Sequence, residues 1–416
     1  NDLEVLPVLR ENLEFIQNHA PIKFGFTIVV NDYLISQASL FESKEPEKDV
    51  SKKYDLIIGN PPYLRVMRDN PAAVAMPTVV HGAPNLYFLF AAMSLFNLKS
   101  DAEMVYIIPR RWTSGEYFKA FRNYFLKDGK LERIHLFVSR DKVFSQEQVL
   151  QETIIIKVKR TKEKPRQVVV SSSQANNDYN NMTEIAVPYD SVVAGKNLYV
   201  YLPTCSNDVE TIYTINRYDT TLPDIGLRMR TGIVVDFRQR DELRTNPGDH
   251  IVPLFYGQHI KDGRVTHIPS GKDYDWITDE KPGLIQENKN YVFCKRFTAK
   301  EEKRRLQCGI YLAEDFPDYK YIGTQNKINY VDRLDGRPLT KMLVYGIYAL
   351  FNTTLYDMYY RILNGSTQVN STEVNNIPVP PIEVIEKIGS RIIQEDDLTT
   401  ECCDRIVKEE AYCGEN

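Results

Sequence analysis

The chain has 416 residues, which is more than one ordinary hydrophobic core accommodates, so we expect two or three domains and work with two. Its hydrophobic content of 43% and charged content of 26% are typical of a soluble globular protein, which excludes a collagen-like or wholly disordered chain. The formal net charge of -4 neither indicates nor excludes a nucleic-acid partner, because a basic face can lie on an acidic protein.

The cysteines and the hydropathy pattern argue against two further classes of protein. The 6 cysteines lack the paired short spacings of a zinc site and are sparse for a disulfide scaffold of this length. We therefore expect reduced thiols and a cytoplasmic location. No run of about 18 apolar residues occurs, so we expect no membrane span.

The N-terminal part of the chain alternates predicted helices and strands. In chain order these are a helix over 3–18, a strand over 24–30, a buried strand over 54–58, a helix over 86–98, a strand over 104–108, a helix over 118–125 and strands over 134–138 and 153–158. This alternation predicts an α/β fold with a doubly wound, mostly parallel, Rossmann-like sheet, whose ligands bind beyond the carboxyl ends of the strands. Asp32 and Asn60 follow two of these strand ends, which makes them candidate functional residues.

The sequence changes character after the last of these strands. Polar residues over 160–181 indicate a connection or a domain edge, and 230–335 holds short strand-like runs broken by Gly, Pro, Asn and Asp. The pattern over 341–363 predicts one long aromatic helix. We expect a first domain over 1–165, a connecting region over 166–229, a second, mixed α+β domain over 230–385 and an amphipathic helical tail over 386–416.

The sequence Asn60-Pro61-Pro62-Tyr63 carries the groups that methylation of an aromatic amino group requires. The nitrogen lone pair of the adenine amino group is delocalised into the ring, and two acceptors aimed at its two protons would localise it. The Asn60 side-chain oxygen and the Pro61 carbonyl supply these acceptors, while the two prolines restrict the backbone. Tyr63 offers a ring on which an extruded base can stack. A plain strand-ending turn is the alternative, and the preceding strand and the upstream acidic strand end favour the catalytic interpretation.

This combination resembles the adenine-N6 DNA methyltransferases of the NPPY class, found in restriction-modification systems. The resemblance implies direct, metal-free transfer of a methyl group from S-adenosylmethionine to the N6 amino group of a flipped-out adenine in duplex DNA. Asn31-Asp32-Tyr33-Leu34 is similar to the family motif whose Asp binds the cofactor adenine, so Asp32 and Tyr33 are expected at the cofactor. A helix cap or solvated turn is the alternative for Asp32. Phe88 is expected to contact the cofactor adenine, with an ordinary core role as the alternative.

Three other parts of the chain bear on the resemblance. Phe144 resembles the late family aromatic that packs on the flipped base, with ordinary packing as the alternative, and Pro109-Arg110-Arg111-Trp112 looks like the edge of the same pocket. The family has a glycine-rich loop after its first strand, and no Phe-x-Gly-x-Gly sequence occurs here. Asp2 stands at or beside the acidic position for the ribose hydroxyls. We therefore expect the first strand to lie upstream of a truncated chain that binds S-adenosylmethionine poorly.

The region 230–385 is similar to the Taq-type target-recognition domains of such enzymes. Basic residues that we expect at phosphates are Lys295, Arg296, Lys300, Lys303, Arg304 and Arg305. Residues of a Gly-containing loop that we expect at base edges or phosphates are Asn364, Ser366, Thr367, Gln368 and Asn370. The alternatives are a solvated helix face for the basic run and an ordinary polar surface for the loop.

The expected partners are double-stranded DNA and a cognate restriction endonuclease. Three alternatives stay open. The chain could be the methylase and specificity part of a fused restriction-methylation enzyme, although we find no acidic residue followed by Glu-x-Lys at a strand end. The Asn-Pro-Pro-Tyr device also suits an RNA base or a protein amide. A DNA-specificity module with a decayed catalytic half is the non-enzymatic alternative.

Overall fold

The computed structural model describes residues 3–43, 53–137, 152–175, 178–299 and 301–413. Asp2, Phe144 and Lys300 lie outside the described residues. The chain divides into two compact units. Unit 1 comprises Asn1–Ile108, Tyr117–Leu131 and Ile155–Lys164, and unit 2 comprises Pro109–Glu116, Glu132–Ile154 and Pro165–Asn416.

The strands of the described residues are short in the second half of the chain. They are β1 Tyr54–Gly59, β2 Leu98–Pro109, β3 Gly129–Phe137, β4 Thr153–Arg160, β5 Gln167–Ser173, β6 Thr183–Pro188, β7 Val193–Ala194, β8 Tyr199–Val200, β9 Leu227–Thr231, β10 Leu243–Arg244, β11 Ile251–Phe255, β12 Ile260–Lys261, β13 Arg264–Val265, β14 Trp276–Thr278, β15 Gln286–Glu287, β16 Tyr291–Lys295, β17 Cys308–Tyr311, β18 Tyr321–Thr324 and β19 Ile328–Arg333.

Most α-helices of the described residues lie before residue 130 or after residue 340, and two lie between them. They are α1 Val5–His19, α2 Ala38–Glu42, α3 Pro71–Val74, α4 Leu86–Asn97, α5 Lys119–Asp128, α6 Tyr189–Val192, α7 Ser206–Ile215, α8 Lys341–Asn352, α9 Thr354–Leu363, α10 Ser371–Val374, α11 Ile382–Glu395 and α12 Thr400–Val407. None of the helices in the described ranges is long and apolar enough to cross a bilayer.

In unit 1 the strands β1, β2 and β4 are neighbours in that order, and the unit also contains α4 and α5. β1 and β2 are parallel, with Gly59 opposite Tyr106. Asn85 begins α4, because its side-chain oxygen accepts the Tyr87 N–H at 3.3 Å. The predicted strands over 54–58, 104–108 and 153–158 and the helices over 86–98 and 118–125 are thus confirmed.

Two predictions for unit 1 are wrong. Residues 24–30 form no strand, because β-branched residues need a neighbouring strand to complete their hydrogen bonds and none of the described strands pairs with them. The strand over 54–58 was expected to be buried, yet Leu56 is 53% exposed and Ile58 is 72% exposed. β1 stands at the end of the strand order, and β2 is its one neighbour among the described strands.

The first strands of unit 2 in chain order form both a parallel and an antiparallel pair. β3, most of which belongs to this unit, pairs in parallel with β5, and β5 pairs in antiparallel with β6. The region 166–229, for which we expect a connecting role, therefore carries strands of a sheet. Parallel pairs accompanied by helices place the fold in the α/β class, while the doubly wound, Rossmann-like arrangement stays a prediction.

The rest of unit 2 has three layers. One sheet has the order β10-β14-β11-β18-β15, and a second has the order β12-β13-β17-β16-β19-β9. Alternation along β16 assigns the layers: Tyr291 and Phe293 pack toward the first sheet, while Val292 and Cys294 share a core with the helices α8, α9, α11 and α12. The region 230–385 is thus mixed α+β, as the sequence predicts.

The predicted long helix over 341–363 is two helices, α8 and α9. Thr353 separates them with an extended backbone, and its hydroxyl accepts the Tyr356 N–H at 3.2 Å to begin α9. α8 packs on α11 at a glycine crossing: a Cβ at Gly346 would collide with the Ile385 carbonyl oxygen, and one at Gly389 with the Met342 carbonyl oxygen. Ile388, Ile392 and Cys403, which lie in the expected helical tail, belong to the core of unit 2.

Candidate active site

A cavity of about 460 Å³ lies beside β1 and the residues that follow it. Its volume is that of a small-molecule site. The lining residues are Tyr33, Tyr54, Leu56, Ile57, Ile58, Gly59, Asn60, Pro61, Pro62, Phe90 and Tyr106. The structure thus brings Tyr33, which the family resemblance places at the cofactor, and the Asn60-Pro61-Pro62 segment to one cavity.

The loop after β1 is fastened to both of its neighbours in unit 1. The Tyr63 hydroxyl donates to the Ile107 carbonyl of β2 at 2.9 Å, and the Asn85 side-chain amide donates to the Tyr63 carbonyl at 3.4 Å. Backbone hydrogen bonds of 2.9 Å join Leu86 to Leu64 and Val66 to Pro84. The position of the loop is therefore set by β2 and by the start of α4.

The two predicted acceptors of this loop are not used by the fold. Asn60 is exposed and Pro61 is buried at the cavity wall. Within the described part of the chain, neither the Asn60 side-chain oxygen nor the Pro61 carbonyl accepts a hydrogen bond. Both acceptors can therefore serve a ligand. Tyr63 is half-buried, its ring stands edge-on to Tyr87 with centroids 6.2 Å apart, and it does not line the cavity.

Asp32 takes a local structural role. Its Oδ1 accepts the N–H groups of Leu34 at 3.0 Å and Ile35 at 2.9 Å, so it caps the short turn that follows. Asp32 is exposed and is not one of the cavity-lining residues. Its neighbour Tyr33 makes the contact between this motif and the cavity.

Tyr33 is held by a buried polar cluster from β2 and α4. Its hydroxyl lies 3.1 Å from Ser94 Oγ and accepts the Asn97 side-chain N–H at 3.1 Å, and Ser94 Oγ lies 2.6 Å from the Tyr106 hydroxyl. Burial raises the pKa of Tyr33 and raises that of Tyr106 to about 12, although the Ser94 hydrogen bonds oppose both shifts. Both phenols therefore stay protonated at neutral pH.

Phe88, which we expect at the cofactor adenine, does not line the cavity, whereas Phe90 does. Phe88 is 1% exposed and packs on Phe118 and Phe121 at centroid distances of 5.5 and 5.4 Å, away from the cavity. Phe90 lines the cavity and stacks on Tyr33 at 5.5 Å. Helical spacing could have found it, because residues 90, 94 and 97 share one face of α4.

The basic residues of unit 2 that we expect at phosphates differ in exposure: some side chains turn into the fold and others are open to solvent. The Arg304 guanidinium donates to the carbonyls of Phe351 at 3.0 Å and Thr353 at 2.9 Å, at the end of α8. Lys303 is exposed, and Lys295 and Arg296 are half-buried. Arg304 is therefore corrected from a phosphate contact to a helix cap.

Arg305 is fully buried. Its guanidinium donates to Thr298 Oγ1 at 3.1 Å and to the Ser366 carbonyl at 2.7 Å, and lies over the Tyr360 ring. A phosphate cannot reach a guanidinium that is enclosed in the fold, so the predicted DNA contact of Arg305 is wrong in this structure.

The Gly-containing loop uses much of its polarity internally. Asn364 is buried, donates to the Glu373 carboxylate and accepts the Ser366 N–H at 2.7 Å. The Ser366 hydroxyl donates to the Gln368 carbonyl at 3.1 Å. Asn364 is thus corrected to a structural residue. Residues of the loop that keep some exposure are Ser366, Thr367, Gln368 and Asn370, of which Thr367 is the most open.

Glu373, in α10, accepts hydrogen bonds from the loop and from residues packed beside it, and no pattern in the sequence points to it. Its buried carboxylate also accepts the Ser114 hydroxyl at 2.9 Å and the Tyr360 hydroxyl at 3.1 Å. Burial raises its pKa, and the hydrogen bonds from Asn364 and Ser114 oppose the shift. A lone Glu at the start of a short helix gives no signal of such burial in the sequence.

The Pro109-Arg110-Arg111-Trp112 segment is also internal. Arg110 is buried, pairs with Glu152 at 3.3 Å and donates to the Ile362 carbonyl at 2.7 Å. Gly365 is required beside them, because a Cβ there would lie 2.5 Å from the Glu152 carboxylate. Arg110 therefore braces the Gly-containing loop of unit 2.

The family model and the two related proteins that match this chain are all methyltransferases. Residues 10–144 match the family model of the Eco57I restriction-modification methylase. The Type II methyltransferase M.PstI of Providencia stuartii is 35% identical over 350 residues, which cover 83% of this chain and 68% of that protein. The Type II methyltransferase M.BsuBI of Bacillus subtilis is 30% identical over 395 residues, covering 93% of this chain and 77% of that protein.

A solved structure shares the fold. The Type IIL restriction-modification enzyme MmeI, in complex with DNA, superposes with a TM-score of 0.54 and 11% identity over 97% of this chain. The chain spans 60% of the length of that structure. At this identity the likeness concerns the fold alone.

Proposed function

The chain belongs to the DNA methyltransferases of Type II restriction-modification systems, whose methyl donor is S-adenosylmethionine, and we propose that it methylates the N6 amino group of a target adenine in duplex DNA. One observation carries this proposal. The Asn60 side-chain oxygen and the Pro61 carbonyl, adjacent at one cavity, are both left without a donor by the described residues.

An exocyclic amino group matches this pair of acceptors. It has two N–H bonds, and one acceptor for each would draw the nitrogen lone pair out of the ring and toward an electrophile. Anchoring of the loop to β2 and α4 would hold the acceptors in place before the base arrives, which is how fixed dipoles lower a barrier. No acid or base side chain is needed for this step.

The cavity supports binding of the methyl donor. S-Adenosylmethionine supplies an electrophilic methyl group on a sulfonium sulfur. The stacked rings of Tyr33 and Phe90 would hold its adenine, and the Asp32 carboxylate, which uses Oδ1 for its own turn, keeps Oδ2 for an amino group. Asp2, outside the described residues, keeps its proposed place at the ribose hydroxyls.

The target base must leave the duplex to reach the acceptors. We propose Tyr63, positioned by its hydroxyl on β2, as the ring on which the extruded base stacks. Phe144, outside the described residues, is its proposed counterpart. We assign the catalytic role to the region 1–165 in the doubly wound arrangement of such enzymes.

We propose the region 230–385 as a Taq-type target-recognition domain. After the structural corrections, the candidate DNA contacts are Lys295, Arg296, Lys303, Ser366, Thr367, Gln368 and Asn370, with Lys300 outside the described residues. Exposed or half-exposed basic side chains can neutralise phosphates without reading sequence. A cognate restriction endonuclease is the proposed second partner.

The test is transfer of tritiated methyl from S-adenosylmethionine to unmodified duplex DNA, followed by nucleoside analysis. Wild type is expected to yield N6-methyladenine, and Asn60→Ala to lower the rate by about 100-fold or more, because a preorganised polar contact at the reacting group is lost. Asn246→Ala removes an exposed amide of unit 2 and should keep the wild-type rate. Label in N4-methylcytosine, or an unaffected Asn60→Ala variant, would refute the assignment.

A further inference from the structure

We propose that the Tyr106 hydroxyl donates a hydrogen bond to a ring nitrogen of the adenine of S-adenosylmethionine, and that Ser94 positions it. The inference rests on the proposed use of the cavity and goes beyond it, because it assigns to one lining side chain a specific contact with the adenine ring. It follows from counting protons in the buried hydroxyl chain.

Three hydroxyl groups form this chain, those of Tyr33, Ser94 and Tyr106. Ser94 Oγ lies 3.1 Å from the Tyr33 hydroxyl and 2.6 Å from the Tyr106 hydroxyl. Each hydroxyl carries one proton, and two hydrogen bonds join the three groups. One proton is therefore left over.

Asn97 favours one direction of the chain. Its side-chain N–H can only donate, and it donates to the Tyr33 hydroxyl at 3.1 Å. The sequence in which every hydroxyl accepts one bond and donates one then runs from Asn97 to Tyr33, from Tyr33 to Ser94 and from Ser94 to Tyr106. The remaining proton is then that of Tyr106, which lines the cavity.

The position of Tyr106 suits a contact with a purine edge. Its ring lies across Gly59, where a Cβ would stand 2.7 Å from Tyr106 Cε1, so only glycine fits at this strand position. The Tyr33 hydroxyl is joined to the Tyr106 hydroxyl through Ser94. The Tyr33 ring is stacked on Phe90 at the same cavity. A purine held on these rings would bring an unprotonated ring nitrogen within the reach of a cavity-wall donor.

The donor is stable over the working pH range. Burial raises the pKa of Tyr106 to about 12, so the phenol keeps its proton at neutral pH. The cavity wall would therefore offer the same donor from acidic to mildly alkaline solution.

The experiment measures binding of S-adenosylhomocysteine to the natural full-length protein by calorimetry, without DNA. Tyr106→Phe keeps the ring on Gly59 and removes the donor, and it should raise the dissociation constant about threefold to tenfold. Ser94→Ala should raise it less, because Tyr106 keeps its proton and loses only its orientation. Tyr124→Phe is the matched control, since Tyr124 belongs to unit 1 and packs on Phe41 away from the cavity.

Ligand analogues locate the acceptor. Among the 1-deaza, 3-deaza and 7-deaza forms of S-adenosylhomocysteine, one should bind wild type more weakly than the parent and bind Tyr106→Phe equally well as the parent. Unchanged affinity of Tyr106→Phe, or equal losses for every analogue in both proteins, overturns the proposal. A Tyr106→Phe variant that keeps its affinity for S-adenosylhomocysteine but needs more DNA would assign the donor to the target base instead.

These outcomes are separate from those of the proposed function. Calorimetry without DNA does not depend on which base is methylated, whereas nucleoside analysis does not depend on Tyr106. Thermal unfolding of each variant completes the design, because a loss of stability without a loss of affinity would indicate a purely structural hydroxyl chain and contradict the proposal.

Discussion

Two polar loops drew attention in the sequence, and the structure treats them in opposite ways. The loop Asn60-Pro61-Pro62 presents two acceptors that the described residues leave unused, at the wall of a cavity. The loop 364–370 turns its first asparagine inward, where it is bonded to Glu373 and to the Ser366 backbone. Both loops follow a regular element and both are rich in groups that could bind a ligand. What separates them is whether the fold has already used those groups.

The difference teaches how to weigh a polar motif. A buried polar group must find a partner, and a loop that finds it within the protein is a structural element whatever its composition. A loop whose acceptors stay unpaired at a concave surface is a candidate for binding. The following predictions test this contrast, starting with the largest expected effect.

Removing a buried cationic side chain should lower the free energy of unfolding more than removing an exposed one. Arg305→Ala deletes a fully buried guanidinium, which leaves the Ser366 carbonyl without this donor and removes the bond that Thr298 Oγ1 accepts, so we expect a loss of about 3 kcal/mol or more in the free energy of unfolding. Lys303→Ala removes an exposed charge and should change the free energy of unfolding by about 0.5 kcal/mol at most. Urea denaturation measures both values.

The same pair of variants separates folding from DNA binding. Lys303→Ala should weaken DNA binding evenly across sequences and lower the slope of log affinity against log salt by about 1. Equal stability of the two variants would contradict the inward assignment of Arg305.

The two asparagines should respond in opposite assays. Asn364→Ala removes one of the donors to the Glu373 carboxylate and the acceptor of the Ser366 N–H, so we expect a loss of about 2 kcal/mol in the free energy of unfolding. Asn60→Ala removes an exposed side chain without a described partner, so its stability should match wild type while methyl transfer fails. A clearly lowered unfolding midpoint of Asn60→Ala would contradict the conclusion that the fold does not use the Asn60 side chain.

The smallest expected effect is a change in pH dependence. The raised pKa of Glu373 means that the native state holds this proton to higher pH than the unfolded chain does. The contribution to stability is present below the ordinary carboxyl pKa and is lost as pH rises through the native value. Glu373→Gln cannot titrate, so the stability of wild type relative to the variant should fall with rising pH over this interval.

Denaturation of both proteins at a series of pH values from about 4 upward gives this difference directly. A difference that stays constant or grows with pH would mean that the hydrogen-bond donors around Glu373 outweigh its burial.

The sequence predicted those parts of the fold that depend on local pattern. The strand ending at Gly59 and the helix that follows Asn85 are predicted by the periodicity of apolar residues, and Tyr33, expected at the cofactor from the family resemblance, lines the same cavity as Asn60. Patterns of this kind are set by neighbours in the chain, and they therefore survive without knowledge of the tertiary structure.

The predictions that failed depend on partners far away in the chain. Residues 24–30 have the composition of a strand and no described strand beside them. The basic run around Arg305 has the composition of a DNA contact, yet Thr298 and Ser366 enclose its guanidinium. None of these outcomes is encoded in a short window of sequence.

The glycine crossing of α8 and α11 has a consequence for synthesis of the protein. The apolar face of α8 is completed by Ile385, Ile388 and Ile392, which emerge from the ribosome well after α8 itself. The second sheet of unit 2 can form its hydrogen bonds earlier, but its helical side stays uncovered until α11 has been translated. Until α11 is available, the nascent chain exposes this apolar face, and exposed apolar surface of this kind favours aggregation.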